Sequence, residues 1–205
     1  MQALDTAQLI AIAAALGWAS GMRLYLVVFL TGAAGWFGWV ELPQGLKVLQ
    51  HPAMLGASGF MLFVEFFADK IPGVDTLWDL VHTVVRIPAG AALAASVFGA
   101  DQATWAMAAA LMGGTLAATS HVAKATTRAA ANTSPEPFSN IGLSLLGDAF
   151  VPAALWLSWT HPLVLAIVLA IALVVAVVLI VMFARFLRAL ARRAVGVLRG
   201  SPSSV

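Results

Sequence analysis

Apolar residues run without interruption from Leu163 to Ala184, 22 positions with no charge and no Pro, Gly, Ser or Thr. As a helix rising 1.5 Å per residue, this stretch is roughly 33 Å long, about the hydrocarbon thickness of a bilayer. A helix that is apolar on every side has no site of its own and is expected to face lipid. Five further segments, near 139–159, 104–128, 76–98, 53–69 and 22–40, are apolar at most positions but carry polar residues at helical spacing. Residues 7–20 form an additional apolar stretch. A single helix from Ala7 to Val40 would be about 50 Å long, too long for one crossing, and Gly17, Ser20 and Gly21 offer a break. The pattern predicts an all-α, polytopic helical membrane protein with about six transmembrane helices, preceded by a short N-terminal re-entrant or interfacial helix. The connections are a polar loop from Glu41 to Gln50, a short one at Gly99–Gln102, a tight turn at His161-Pro162, and Pro-broken loops at Ile71-Pro72-Gly73 and Ser134–Pro137.

Composition agrees. Of 205 residues 61% are hydrophobic and 10% charged, against about 25% charged in soluble domains. Mean hydropathy is +0.95. Without cysteine, disulfides, thiolate catalysis and Cys-based metal sites are excluded. The first residues carry Asp5 rather than a positive region and do not read as a cleaved signal peptide. Arg185, Arg188, Arg192, Arg193 and Arg199 follow the last span directly. They read as a basic amphipathic tail at an anionic membrane surface and argue against nucleic-acid binding. Residues 1–184 therefore read as one membrane domain and 185–205 as the tail, with disorder expected from Gly200. By the positive-inside rule the C-terminus is cytoplasmic. Six crossings put the N-terminus there too. Trp36, Trp39, Trp156 and Trp159 read as interfacial anchors. Gly113-Gly114 and Gly56-x-x-Gly59 read as points of close helix packing.

The polar residues fall in stripes. Asp75, Asp79, His82 and Arg86 are spaced by 4, 3 and 4 and share one helix face. So do His121, Lys124 and Arg128, and so do Asn140, Ser144 and Asp148. Glu65 and Asp69 end one segment just before Lys70, and Arg23 opens another. A charge at the bilayer centre costs about 2.5–3.5 kcal/mol on insertion scales, so the stripes are expected to converge. Glu65, Asp69, Asp75, Asp79 and Asp148 would balance Arg23, Lys70, Arg86, Lys124 and Arg128, five against five. Counting depth along the helices, Arg86 and Asp148 both approach mid-membrane, which predicts a pair between them, either a structural lock or a gate. His82 and His121 read as a proton relay or as simple hydrogen-bonding groups. Asp75, Asp79 and His82 could form half of a metal site, which neighbouring Lys70 and Arg86 disfavour, so neither metal nor cofactor is expected. Arg23, Lys124 and Arg128 could clamp a phosphate or carboxylate or be a positive-inside fringe. Asn132, Ser134 and Asn140 would then help bind the solute, or merely cap helices.

Several of these motifs resemble the bacterial membrane family called domain of unknown function 4126. They are the run EFFADKIPGVD from Glu65 to Asp75, Trp78-Asp79-x-x-His82, Arg86-Ile-Pro-Ala-Gly, His121-x-x-Lys124-x-x-x-Arg128, Asn132-x-Ser134-Pro-x-Pro-Phe-Ser-Asn140 and the opening Ser20-Gly21-Met22-Arg23. The resemblance runs from about residue 15 to 160. It implies a helical integral membrane protein and supplies no activity, so function must be argued from the residues.

The leading expectation is a small transporter, proton-coupled in one version, for an anionic or zwitterionic solute. Arg23, Lys124 and Arg128 would bind it, Arg86 and Asp148 would gate, and His82 with Asp79 would carry the proton. Two readings compete with it: handling of a lipid or polyprenyl-phosphate headgroup, and a scaffold whose ion pairs are structural. No G-x-S-x-G, H-E-x-x-H or P-loop supports an enzyme. The expected partners are membrane lipid and that solute or headgroup; a homo-oligomer is left open.

Overall fold

The computed structural model describes residues 4–71, 73–131 and 137–198. The described chain is all helical: α1 (Thr6–Trp36), α2 (Pro52–Ala68), α3 (Val74–Ala95), α4 (Ala103–Ala131), α5 (Pro137–Thr160) and α6 (Pro162–Leu198), with 3-10 turns at Gln44–Gln50 and Ala100–Gln102. Five of the six begin within a few residues of the apolar segments read from the sequence. Asp5 starts α1 with a capping box, accepting from the Gln8 amide at 2.7 Å, which satisfies two otherwise orphaned donors. Pro52 and Pro162 occupy first helical positions, where a missing N–H costs nothing.

Four helices are long and apolar enough to cross a membrane: Thr6–Trp36, Ala103–Ala131, Ile141–Thr160 and Pro162–Ala189. A fifth appears if Gln44–Gln50 and Pro52–Ala68, which meet at 70°, are one broken span. These helices mark a membrane protein, but they do not give the six spans expected. α3 has the length, at 22 residues, but Asp79, His82 and Arg86 make it more polar than a simple span. The residues that build the interior site are those that dilute the hydropathy signal.

The expected break after the first apolar stretch exists, but at Arg23 rather than Gly17–Gly21. Arg23 has φ −148° and ψ 78° inside otherwise helical backbone. Contacts on either side of it run in opposite senses. Before the break, Gly17 faces Gly113, and Gly21 faces Ala117 and Ser120, so this arm advances along α4 in the direction of α4. After it, Phe29 meets Gly59, Gly32 meets Leu55 and Gly35 meets Gln50, so this arm advances against α2. α2 and α4 themselves run the same way, because both run against α3: Thr83 meets His121 and Gly90 meets Ala117, while Gly45, just ahead of α2, meets Ser96 and Glu65 reaches Arg86. The two arms of α1 therefore form a re-entrant hairpin with Arg23 at its tip. The first arm is no interfacial helix: Ile12, Ala13, Ala15, Leu16 and Ala19 are completely buried.

That arm fits because its neighbours are small. A Cβ on Gly17 would lie 2.5 Å from the Gly113 Cα, and one on Gly90 would lie 2.7 Å from the Ala117 Cβ. Gly113 is thus a close-packing point, as expected, whereas Gly56 faces open space, so the Gly56-x-x-Gly59 expectation fails at its first glycine. α6 is the peripheral helix. It buries Leu165, Leu169 and Ala176 and exposes Leu163, Ile167, Ile171 and Val174. It also continues through Arg185 to Leu198 without a break at the end of the apolar run. Gly200–Val205 lie outside the described residues.

Candidate functional site: a buried ion-pair network

All ten charges of the polar stripes meet in one place. The α1 hairpin lowers Arg23 between the C-terminal ends of α2 and α4 and the N-terminal halves of α3 and α5. Its guanidinium reaches Asp69 at 2.8 Å and Asp148 at 2.7 Å and donates to Ser144 Oγ at 2.7 Å. Breaking α1 at Arg23 frees the Met22 carbonyl, and α4 supplies a donor for it as well as a second tie to the turn before the break. Lys124 Nζ donates to the Met22 carbonyl at 3.0 Å, and Ser120 Oγ to the Trp18 carbonyl at 2.7 Å. Non-helical backbone at this depth is tolerable when it is satisfied in this way.

Asp69, the C-cap residue of α2, is the hub. Besides Arg23, it takes Arg128 Nη1 at 2.9 Å and Lys124 Nζ at 3.1 Å, and it is fully buried. Asp79 is the second node. Its Oδ1 accepts from Arg86 Nη1 at 2.6 Å and lies 3.1 Å from Lys124 Nζ, while its Oδ2 lies 3.6 Å from Arg128. Arg86 closes one end by donating to Glu65 at 2.8 Å, with both side chains at zero exposure. At the other end Lys70 reaches Asp148 at 3.5 Å, and there both side chains are 20% exposed. The network thus grades from sealed to accessible. Asp75 joins through Arg128 at 4.0 Å and accepts the amides of Gly73 and Thr76 at 2.8 and 2.7 Å. Gly73 makes that turn possible with φ +87°.

Several placements differ from those read off the sequence. Arg86 and Asp148 do not pair; Arg86 is held by Glu65 and Asp79, and Asp148 by Arg23 and Lys70. The inserted tip of α1 claims Asp148, and α2 claims Arg86 through Glu65. Arg23, Lys124 and Arg128 do converge, but on the protein's own Asp69. His82 faces away from Asp79: its Nδ1 is 2.8 Å from the Trp78 carbonyl and its Nε2 is 3.2 Å from the Tyr25 hydroxyl. The first contact makes Nδ1 the protonated nitrogen and leaves Nε2 to accept from Tyr25. Trp78 stacks on the His82 ring at 4.0 Å between centroids. His121 is the histidine that touches the network, 3.4 Å from Arg86 Nη1, with Thr83 Oγ1 at 2.7 Å. Asp75, Asp79 and His82 do not converge, and among the described residues no three His, Asp or Glu side chains are placed to hold a metal. Asn132 and Ser134 lie outside the described residues, as does the side chain of Asn140.

Two residues that the polar stripes did not single out belong to the site. Tyr25, the only tyrosine in the chain, orients His82, and Thr83 links His121 to the Asp79 carbonyl at 2.9 Å. Their spacing holds a signal: Thr83 lies four residues from Asp79, on the same α3 face.

Two clefts reach the network from the sides of the bundle. One, of about 370 Å³, runs between α3 and α4 past Phe183 of α6 and touches Asp79, His121 and Arg128. The other, of about 240 Å³, lies between α4 and α5 and touches Lys124 and Arg128.

A family model described as "Domain of unknown function (DUF4126)" matches residues 10–182. The chain belongs to this family. The match includes all ten network charges and both arms of the α1 hairpin beyond Leu9. No curated protein matches the chain, and no solved structure does either.

Proposed function

We propose that this family member is a small membrane transporter in which an anionic or zwitterionic solute exchanges places with the buried carboxylates of the network. The observation that carries this reading is the seat of Asp69. Three cations from α1 and α4 lie within 3.1 Å of one carboxylate, which is the arrangement an incoming phosphate or carboxylate needs. In the resting state Asp69 fills the seat itself. A solute anion entering from the Lys70–Asp148 end would displace it, and the α2–α3 connection that carries Asp69 would move. Ionisable residues inside a membrane usually mark such pathways, and transporters commonly build their sites at the ends of broken helices.

Arg86, with Glu65 and Asp79, forms the inner barrier, and Asp148, Arg23 and Lys70 form the outer one. Glu65 Oε2, Asp79 Oδ2 and Arg86 Nε are buried without hydrogen bonds, which leaves capacity for a solute or water. His121 takes the proton-coupling role expected of His82, because it is in contact with Arg86. Asn132, Ser134 and Asn140 remain candidates to line the mouth. Lys70, Lys124, Arg128 and Arg185, Arg188 and Arg192 of α6 gather at one end of the bundle, and Lys47 at the other. We place the basic end in the cytoplasm of a bacterial inner membrane. With α1 doubled back, the C-terminal end of α6 is then cytoplasmic and the start of α1 is on the opposite face, in place of the shared side expected from six crossings.

Lipid-headgroup handling is the second reading, favoured by the two side clefts, which open toward the bilayer and end on network charges. Proteoliposomes decide between them. Solid-supported-membrane currents would be recorded for glutamate, phosphate and betaine, and leaflet exchange for fluorescent phospholipids. The transporter reading expects a solute current that Asp69→Asn and Arg23→Ala abolish in correctly folded protein. Leaflet exchange without any solute current replaces it with the lipid reading. Neither activity, from protein whose fold is intact, leaves the network a structural scaffold.

A further inference from the structure

A third cleft lies well away from the charges. It has a volume of about 440 Å³ and runs between the second arm of α1 and the C-terminal half of α5. That is within the size range of ligand pockets, about 300–1,000 Å³. It shares no residue with the ion-pair network. Thr31 follows Arg23 by eight positions and Trp159 follows Asp148 by eleven, so the cleft sits about 12–16 Å further along both helices. Leu30, Ala34, Val40 and Leu155 form apolar walls, and no charged side chain lines it. Trp39 and Trp156, 75% and 60% exposed, stand at its rim near the helix ends.

Two of the lining residues, Thr31 and Trp159, each carry a buried polar atom with no hydrogen bond, Oγ1 and Nε1. Thr31 is 1% exposed. Five other helical threonines, Thr83, Thr115, Thr119, Thr127 and Thr160, donate to the carbonyl four residues back. Thr31 does not, although the same acceptor position is available to it in α1. An unpaired buried donor costs about 1–3 kcal/mol, and here two residues lining one uncharged cavity each hold one, within a side-chain rotation of it.

We propose that the cleft binds the ester region of a diacyl glycerolipid, with Trp159 Nε1–H and the Thr31 hydroxyl donating to an ester carbonyl and one acyl chain lying along Leu30, Ala34 and Leu155. The indole N–H is a donor only, so the ligand must present an acceptor. The absence of charge in the lining selects a neutral acceptor over a phosphate. Tryptophans near helix ends sit at the level of the bilayer interface, where the ester linkages of the surrounding lipid also lie.

The test uses the full chain in detergent with equimolar dioleoyl phosphatidylglycerol and its diether counterpart, which has the same headgroup and chain length but lacks the carbonyls. Native mass spectrometry reads the ratio of the two lipids retained. The wild type is expected to favour the diester by about three- to tenfold, the worth of one or two net hydrogen bonds. Trp159→Phe and the near-isosteric Thr31→Val should each bring the ratio toward one, and Thr119→Val should leave it unchanged. Melting curves of the same samples confirm that each variant is folded. Equal retention of the two lipids by the wild type overturns the site, and so does a preference that survives both substitutions.

Discussion

Asp69→Asn is the sharpest perturbation of the network. It removes one negative charge and almost no volume. The carboxylate it replaces lies 2.8, 2.9 and 3.1 Å from Arg23, Arg128 and Lys124. At an effective dielectric constant of about 20, each contact is worth roughly 5 kcal/mol before desolvation. Mutual repulsion of the three cations and the cost of burying all four groups cancel most of that. Breaking one partner out of a buried pair typically costs about 3–5 kcal/mol, because the remaining charge is left uncompensated. Here the five-against-five balance becomes a net +1 in a site with almost no exposure. We expect Asp69→Asn to destabilise the fold by about 3–5 kcal/mol, a large fraction of the ~5–15 kcal/mol of a typical domain. Lys124→Met in the same chain restores neutrality, so the double variant should lose less than the two single losses added together, by about 1–3 kcal/mol. Reversible unfolding in mixed micelles, followed by circular dichroism, measures all four corners of the cycle. An Asp69→Asn loss below about 1 kcal/mol, or strict additivity with Lys124→Met, would show that the hub is not electrostatically coupled and refute the reasoning.

Other outcomes follow from local geometry. Gly21→Ala places a methyl group against the Ala117 carbonyl and Ser120 Oγ and should cost about 1–3 kcal/mol or more, whereas Gly56→Ala, which meets nothing within 4 Å, should leave the melting temperature unchanged. Arg23→Lys keeps the charge but not the fork that holds Asp69, Asp148 and Ser144 together; it should be clearly destabilising in the same unfolding assay. Because the chain has no cysteine, single cysteines report topology directly. Ala7→Cys and Arg192→Cys should react with an impermeant maleimide from opposite sides of sealed vesicles, and labelling of both from one side would rule out the doubled-back α1.

The helices were readable from the sequence because lipid demands long apolar runs, and the breaks because Pro and Gly punctuate them. The convergence of the stripes was readable too, since each charged residue had to avoid acyl chains and the signs summed to zero. The pairing was not. Spacing along a helix says which residues share a face and how deep they lie, but not which neighbour that face meets. Arg86 and Asp148 occupy similar positions along their own helices, yet Glu65, three residues before the end of α2, and Arg23 at the hairpin tip reach them first. Seeing this required knowing that α1 reverses at Arg23. A single residue with extended φ leaves no mark in hydropathy. Tyr25 illustrates the same limit: its role follows from the position of His82, 57 residues later.

The tip of α1 also constrains how the protein is made. Arg23 emerges from the ribosome 125 residues before Asp148, and Gly17 emerges 96 before Gly113. At about 5–20 residues per second, Arg23 waits roughly 2–9 s for Asp69, 46 residues on, and roughly 6–25 s for Asp148. Until those later segments emerge, the hairpin lacks Asp148 and the small-residue groove of α4. It cannot settle in the bilayer core alone, so it has to wait at the interface or inside the insertion machinery. Final entry of the first helix is then among the last steps of biogenesis rather than the first.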